Sequence, residues 1–225
     1  MTTPAAASTP PAAAPPPVLF AELFDDSRVV HDLRDGALWD AAHTRLCLAP
    51  ADMLAGIAHG VRERAGEKWR PALRQCGAAW GRRVAEGLDR ACQDTLKKRL
   101  GAISMDAFLR YIVRYYSFGG WGLLEMDLSL ARRGIVQASL RDSLFAFATA
   151  SEVHEADGMA DPMTEGLLAA MLSYLSGHDL DCVQTACTTR GAEASRFIIS
   201  ARPRVAMFAE RVQAGMSHEE IIAML

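Results

Sequence analysis

Two groups of side chains in this sequence could do chemistry. The first is a run of aromatic residues: Phe108, Tyr111, Tyr115, Tyr116, Phe118, Trp121, Phe145 and Phe147 fall within about forty positions. Flat apolar walls with a few polar tips suit a flat apolar ligand. An ordinary core is the competing reading and is preferred for most of them. Tyr111, Tyr115 and Trp121 are the candidates to face a cavity, because their polar tips could meet a ligand, and Phe145 joins them as a ligand-binding candidate. The second group is the cysteines, Cys47, Cys76, Cys92, Cys182 and Cys187. Their odd number and wide scatter, with no secretory signal ahead of them, point to a reduced cytoplasmic setting without a disulfide framework.

Other chemistry is weakly marked. His154, flanked by Glu152 and Glu155, reads as a solvated loop histidine ahead of a general base or metal ligand, and His31, His43, His59 and His178 stand alone. No glycine-rich dinucleotide loop occurs at a strand–helix junction, since Gly119-Gly120-Trp121-Gly122 follows a helix and enters a strand. No catalytic constellation is visible, so a binding protein is expected ahead of an enzyme.

The elements that must position these residues are mostly helical at first. Pro50-Ala51-Asp52 starts a helix through about Arg64. A longer helix follows to about Leu100, with Leu73, Cys76, Trp80, Val84, Leu88, Ala91 and Leu96 at helical spacing and Gly101 as its C-cap. Ser104 caps the next, Met105 to about Tyr116, whose apolar face carries Phe108, Ile112, Tyr115 and Tyr111. From Leu123 to Ala150 the alternation of Leu124, Met126, Leu128 and Leu130 against Glu125, Asp127 and Ser129 predicts antiparallel strands turning at Arg132-Arg133-Gly134. An acidic loop, 151–160, leads to an amphipathic helix from Asp161 to Gly177, then a strand, a polar turn at Arg190-Gly191, and a second strand. Two short helices close the chain, the last with a Ser217/Glu220 capping box.

Runs of helices followed by runs of strands predict an α+β fold, an antiparallel sheet packed with helices. The expected organisation is a disordered Ala/Pro-rich tail over 1–17, a single α+β domain over 18–201, and a C-terminal helical extension over 202–225, read as a cover for the sheet edge in preference to a partner-docking arm. The 225 residues suffice for one well-buried domain. The net charge of -3 gives no reason to expect nucleic acid. No apolar run approaches the roughly 20 residues a membrane span needs.

Three passages carry a family likeness: Gly120-Trp121-Gly122 leading into strands; Asp161-Pro162-Met163-Thr164-Glu165-Gly166 opening a helix; and Cys187 through Gly191 to Ser195, Phe197 and Ile199. Through them the segment 119–199 resembles the 4-vinyl reductase domain, also called a hydrocarbon-binding domain. That domain occurs in bacteriochlorophyll 4-vinyl reductase-type proteins and in the sensor domains of phenol- and toluene-responsive activators. Vesicle-tethering subunits of the TRAPP type have a related fold, so fold alone does not give function.

The resemblance implies a ligand-binding domain with its core at about 119–200. Zinc-bearing members of the family place ligands at positions matching Asp161, Gln184, Cys187 and Ser195. Only Cys187 is a strong zinc ligand, so zinc is not expected, and Cys187 reads as a buried free cysteine under the turn. In a regular strand Cys182 would share a face with Gln184, opposite Cys187. The leading implication is a non-enzymatic accessory protein of bacteriochlorophyll biosynthesis that binds or presents a vinyl chlorophyll precursor. Its ligand would be a tetrapyrrole or another small apolar molecule, its partners pathway enzymes, and a homodimer is compatible. No cofactor is assigned, and no His or Cys stands out as an axial ligand. The alternatives are an aromatic-ligand sensor or regulatory module, and a vinyl reductase drawing electrons from a partner.

Overall fold

A computed structural model describes residues 29–39, 45–150 and 159–225. The proline-rich tail and the His154 loop lie outside the described residues. Three short strands, β1 (Val30–Asp32), β2 (Ala37–Trp39) and β3 (Arg45–Leu46), form a small antiparallel sheet that the sequence did not suggest. Helices α1 (Ala51–Ala65), α2 (Trp69–Leu96) and α3 (Met105–Phe118) follow. Next come strands β4 (Leu123–Asp127) and β5 (Val136–Arg141), helices α4 (Leu144–Thr149) and α5 (Pro162–Ser176), and strands β6 (Leu180–Ala186) and β7 (Ser195–Ala201). Helices α6 (Arg202–Gln213) and α7 (His218–Ala223) end the chain. The main sheet is antiparallel with strand order β4-β5-β7-β6, as an α+β reading requires.

One face of that sheet, with Leu124, Ala138, Leu140, Cys182, Phe197 and Ile199, packs against α2, α3 and α5. The other face, with Val183 and Ile198, is covered by Val205 and Phe208 of α6 and Ile221 of α7. The C-terminal helices therefore cover a face of the sheet, where an edge cover was expected. Helix α5, expected to be amphipathic, is buried over most of its surface, with Glu165 and Thr164 among the buried side chains. Asp161 caps its start by accepting from the Thr164 amide, Pro162 fills its first turn, and Gly177 ends it in the left-handed conformation.

Helices α2 and α5 cross closely enough to need three glycines. A Cβ at Gly77 would lie 2.0 Å from the Met163 carbonyl oxygen, and one at Gly81 would lie 2.6 Å from that of Leu167. One at Gly166 would lie 2.0 Å from the Arg74 carbonyl oxygen.

Two predicted elements differ. Helix α2 ends at Leu96, because Lys97 adopts the left-handed conformation and its amide returns to Gln93; Gly101 falls in the short 3-10 turn beyond. Residues 144–149, read as strand, form α4. The Ser143 hydroxyl accepts from the Ala146 amide and so starts a helix that alternation alone conceals.

Candidate functional site

Helices α2, α3 and α4 and the loop after α3 bring the aromatic candidates together around Trp80. Ser104 caps α3 and so fixes the phase in which Tyr111 and Tyr115 leave it; their rings stack at 6.1 Å and 16°. Trp80 Nε1 donates to the Tyr115 hydroxyl at 3.1 Å. Its ring meets Trp121 at 5.1 Å and Phe145 at 5.9 Å, both edge-on. Trp121 and Phe145 are stacked, their centroids 5.2 Å apart and their planes within 1° of parallel. Such pairs add about 0.5–1.5 kcal/mol each beyond area burial.

Trp80, named in the sequence only as one position of a helical stripe, is thus the hub of the cluster. Phe147, also an aromatic candidate, points away and is 74% exposed. Tyr116, not Tyr115, is the fully buried tyrosine of α3.

Phe145 has a second neighbour. With Leu54, Ile57 and Ala58 of α1, Leu73 of α2, Thr149, Ala160, Pro162 and Met163, it lines an apolar cavity of about 60 Å³. The Thr149 hydroxyl lies within hydrogen-bond distance of the Phe145 and Ala160 carbonyls, at 2.7 and 3.0 Å. Two larger recesses, of about 880 and 630 Å³, lie on either side of Arg74. Charged side chains line both: Arg70, Glu165, Asp181 and Arg190 in the first, Arg82, Glu86 and Arg202 in the second.

Behind the aromatic cluster runs a buried polar network centred on Asp161, which is 0% exposed. Ser143 Oγ donates to Asp161 Oδ2 at 2.5 Å, and the Thr164 amide donates to Oδ1 at 3.2 Å. The Thr164 hydroxyl accepts from the Tyr116 hydroxyl at 3.1 Å. The Asp161 amide donates to Gln184 Oε1 at 3.0 Å, and the Gln184 amide donates to Glu165 Oε1 at 2.6 Å. Ser143 both caps α4 and holds Asp161, so the network fixes the helix that carries Phe145.

The same geometry answers whether zinc would fit. Asp161 and Gln184 are in direct contact, and both Asp161 oxygens and both Gln184 terminal atoms are already bonded. Ser195 Oγ accepts from the Thr188 amide, and Cys187 Sγ lies 3.0 Å from Thr189 Oγ1. One thiol, one carboxylate, one amide and one hydroxyl are a poor donor set for structural zinc. These residues do not fit the ion. Among the described residues no group of three or more His, Cys, Asp or Glu is placed to hold a metal.

Cys187 does not lie opposite Gln184. The β6–β7 register slips between Gln184 and Ala186, and this bulge reverses the alternation. Cys187 then packs with Ala146, Met159 and Ala160, on the side of the sheet where Gln184 meets Asp161.

Burial raises the pKa of both carboxyls of the network above their ordinary values, Asp161 above 3.8 and Glu165 above 4.5; hydrogen bonds and Arg74 only partly oppose it. A raised carboxyl pKa means that the folded chain binds more protons than the unfolded one over that interval. Stability is therefore full below about pH 4 on this account and falls as pH rises through the raised values. Urea midpoints measured from pH 4 upward are expected to decline, and Asp161→Asn is expected to flatten that decline. A stability that climbs over the same interval in the wild type but not in the variant would contradict this.

No family model matches the chain, and no curated protein matches it. Among solved structures it is similar to the phenol-responsive sensory domain of the transcription activator PoxR with phenol. That similarity has a TM-score of 0.64 at 18% identity and covers 81% of this chain and 88% of that one. A vinyl-4-reductase family protein from Methanocaldococcus jannaschii gives a TM-score of 0.45 at 12% identity, over 69% of this chain and 83% of that one. A trafficking protein particle complex subunit 3 from Naegleria fowleri, covalently bound to palmitic acid, gives 0.45 at 11%, over 67% and 93%. Among the described residues no helix is long and apolar enough to cross a membrane. The likeness to the sensory domain is one of fold.

Proposed function

We propose that this chain is a binding domain for a small aromatic molecule, acting as a sensor or regulatory module. The observation that carries the reading is the double role of Phe145. It stacks on Trp121 and contacts the aromatic cluster, and it also lines the apolar cavity. A cavity of about 150 Å³ with such a lining takes up benzene. The cavity here is about 60 Å³, so a single-ring ligand needs Phe145 to move, and that movement reaches Trp121 and Trp80. Ligand occupancy would in this way become a rearrangement of α4. The similarity in fold to a phenol-responsive sensory domain supports the reading. On this reading a displaced Phe145 would expose Trp121, with Tyr115 and Tyr111 extending the same aromatic wall.

A tetrapyrrole carrier of bacteriochlorophyll biosynthesis has less support. The recesses large enough for a macrocycle are lined by arginines and carboxylates, while the apolar one is far smaller. A vinyl reductase would meet the same obstacle.

Titration of the purified chain with phenol, toluene and protoporphyrin IX, read by tryptophan fluorescence and thermal midpoint, tests the reading. Phenol or toluene is expected to change the emission saturably and to raise the midpoint as a ligand of the folded state does. Silence with both, together with saturable quenching by protoporphyrin, would replace this reading with the carrier. Phe145→Leu removes the stacked ring at a cost of about 1–2 kcal/mol. It is expected to tighten toluene binding, because less side chain has to be displaced. An unchanged affinity would place the ligand elsewhere.

A further inference from the structure

We propose that the outer face of the main sheet carries a second, polar site, formed by Arg196, Asp127 and His218, that takes a small amino-acid zwitterion. Helices α6 and α7 cover this face over Val183 and Ile198. Beside that cover lies a recess of about 210 Å³, lined by His218 of α7, Arg196 of β7, Ser139 of β5, and Glu125 and Asp127 of β4. Glu125, Ser139 and Arg196 stand in one row across the three strands. They alternate with Leu124, Ala138, Leu140 and Phe197, which point into the core that the aromatic cluster joins, so the two sites lie on opposite faces.

His218 is the buried group of the recess, at 5% exposed. Its tautomer follows from its neighbour. Thr185 has one hydroxyl hydrogen, which it donates to the Arg196 carbonyl at 3.3 Å. The 2.7 Å bond between Thr185 Oγ1 and His218 Nδ1 must then run from Nδ1–H to the oxygen. Burial, with Arg196 beside it, holds the imidazole pKa below its ordinary 6.5, so the ring is neutral at pH 7. Nε2 is therefore an acceptor, and no described residue bonds it.

The charges of the recess are complementary but held apart. Glu125 is paired with Arg141 at 2.8 Å. Asp127 accepts from the Ser129 amide and hydroxyl and from the Gln137 amide group, and among the described residues no cation pairs with it. Arg196 is half-buried and likewise forms no ion pair among them. Strand β5 lies between the strands bearing Asp127 and Arg196, which sets their backbones about 10 Å apart across the sheet. A molecule with both charges satisfies both residues. Its carboxylate meets the Arg196 guanidinium, and its ammonium finds acceptors in Asp127 and His218 Nε2. A net anion would be repelled by Glu125 and Asp127, and a net cation by Arg196. The recess is smaller than the roughly 300–1,000 Å³ of drug-sized sites, which limits the ligand to a few carbons.

Isothermal titration of the full chain with glycine, β-alanine and γ-aminobutyrate, whose two charges stand progressively further apart, tests the proposal. Propionate, ethylamine and inorganic phosphate are controls that carry one sign of charge. At least one zwitterion is expected to bind with a dissociation constant on the order of 1 mM or tighter, about tenfold or more below every control. Arg196→Met is expected to remove the preference over ethylamine, and Arg196→Lys to keep it. Asp127 is exposed, so Asp127→Asn leaves the core alone and is expected to remove the preference over propionate. A residue that only supports the fold would change the thermal midpoint of the unliganded chain and leave these preferences unmoved. No saturation by any zwitterion up to ~20 mM, a control that binds as well, or variants that keep the wild-type preferences would each overturn the proposal. Phenol and toluene are titrated separately and read at the other face, so failure here leaves the aromatic reading standing.

Discussion

Gly166→Ala is expected to cost about 4 kcal/mol or more, a large part of the 5–15 kcal/mol that a domain of this size has. The added methyl would stand 2.0 Å from the Arg74 carbonyl oxygen and 2.7 Å from the Ala78 amide nitrogen. Both are backbone atoms of α2, so no side chain can swing aside to make room. The helices would have to separate by more than 1 Å to reach ordinary contact, which is why the figure exceeds the usual 1–3 kcal/mol for overpacking. Separation would also strain the hydrogen bonds that Arg74 sends from α2 to the Asp181 carboxylate and the Cys182 carbonyl of β6. Equilibrium urea unfolding measures the loss directly. Gly56→Ala, in the open, is the matched control and is expected to gain about 0.5–1 kcal/mol. If the two variants unfold within 1 kcal/mol of each other, the close crossing of α2 and α5 is wrong.

That crossing shows what the sequence could and could not say. Helix α2 was legible from its apolar period and α5 from its caps, Asp161 before Pro162 and Gly177 after Ser176. Their mutual approach was not. Helical period reports which face is apolar, and says nothing of how near a neighbour comes. The hairpin of β6 and β7 is legible from alternation around Gly191, but a period of two cannot reveal a bulge, so strict alternation puts Cys187 on the wrong face. Helix α4 was missed because its six residues are too few to show a helical period; Ser143 three residues ahead of Ala146 was the available signal.

The aromatic cluster is legible in part for a related reason. Tyr111, Tyr115, Trp121 and Phe145 could be named from residue type and crowding along the chain. Trp80 lies 35 residues before Tyr115, and only the packing of α2 on α3 brings its indole to that hydroxyl. The polar network around Asp161 is likewise drawn from four separate elements. Ser143 heads α4, Thr164 belongs to α5, Tyr116 to α3 and Gln184 to β6. Polar side chains that satisfy one another inside a core carry no local signature, since each could equally face water.

Asp161→Ala is expected to be nearly as damaging as the glycine variant, at about 3–4 kcal/mol, and for a chemical reason in place of a steric one. Removing the carboxylate strands the Ser143 hydroxyl and the Thr164 amide, both buried. A buried donor without a partner costs about 1–3 kcal/mol, and loss of the helix cap about 1 kcal/mol more. These do not add fully, because burial already disfavours the charged carboxylate, as its raised pKa records, and the substitution relieves that penalty. Asp161→Asn separates the contributions. Its oxygen can still accept from the Thr164 amide, and its Nδ2 can donate to Ser143 Oγ once that hydroxyl rotates, so it should cost only about 1 kcal/mol. Since Ser143 also caps the helix bearing Phe145, Asp161→Ala is further expected to loosen the Trp121–Phe145 stack and shift the tryptophan emission before global unfolding begins. Urea unfolding and fluorescence on the two variants decide the matter. A loss under 1 kcal/mol in Asp161→Ala, with emission unmoved, would mean that packing alone holds α4 in place and that the polar network is incidental to the site.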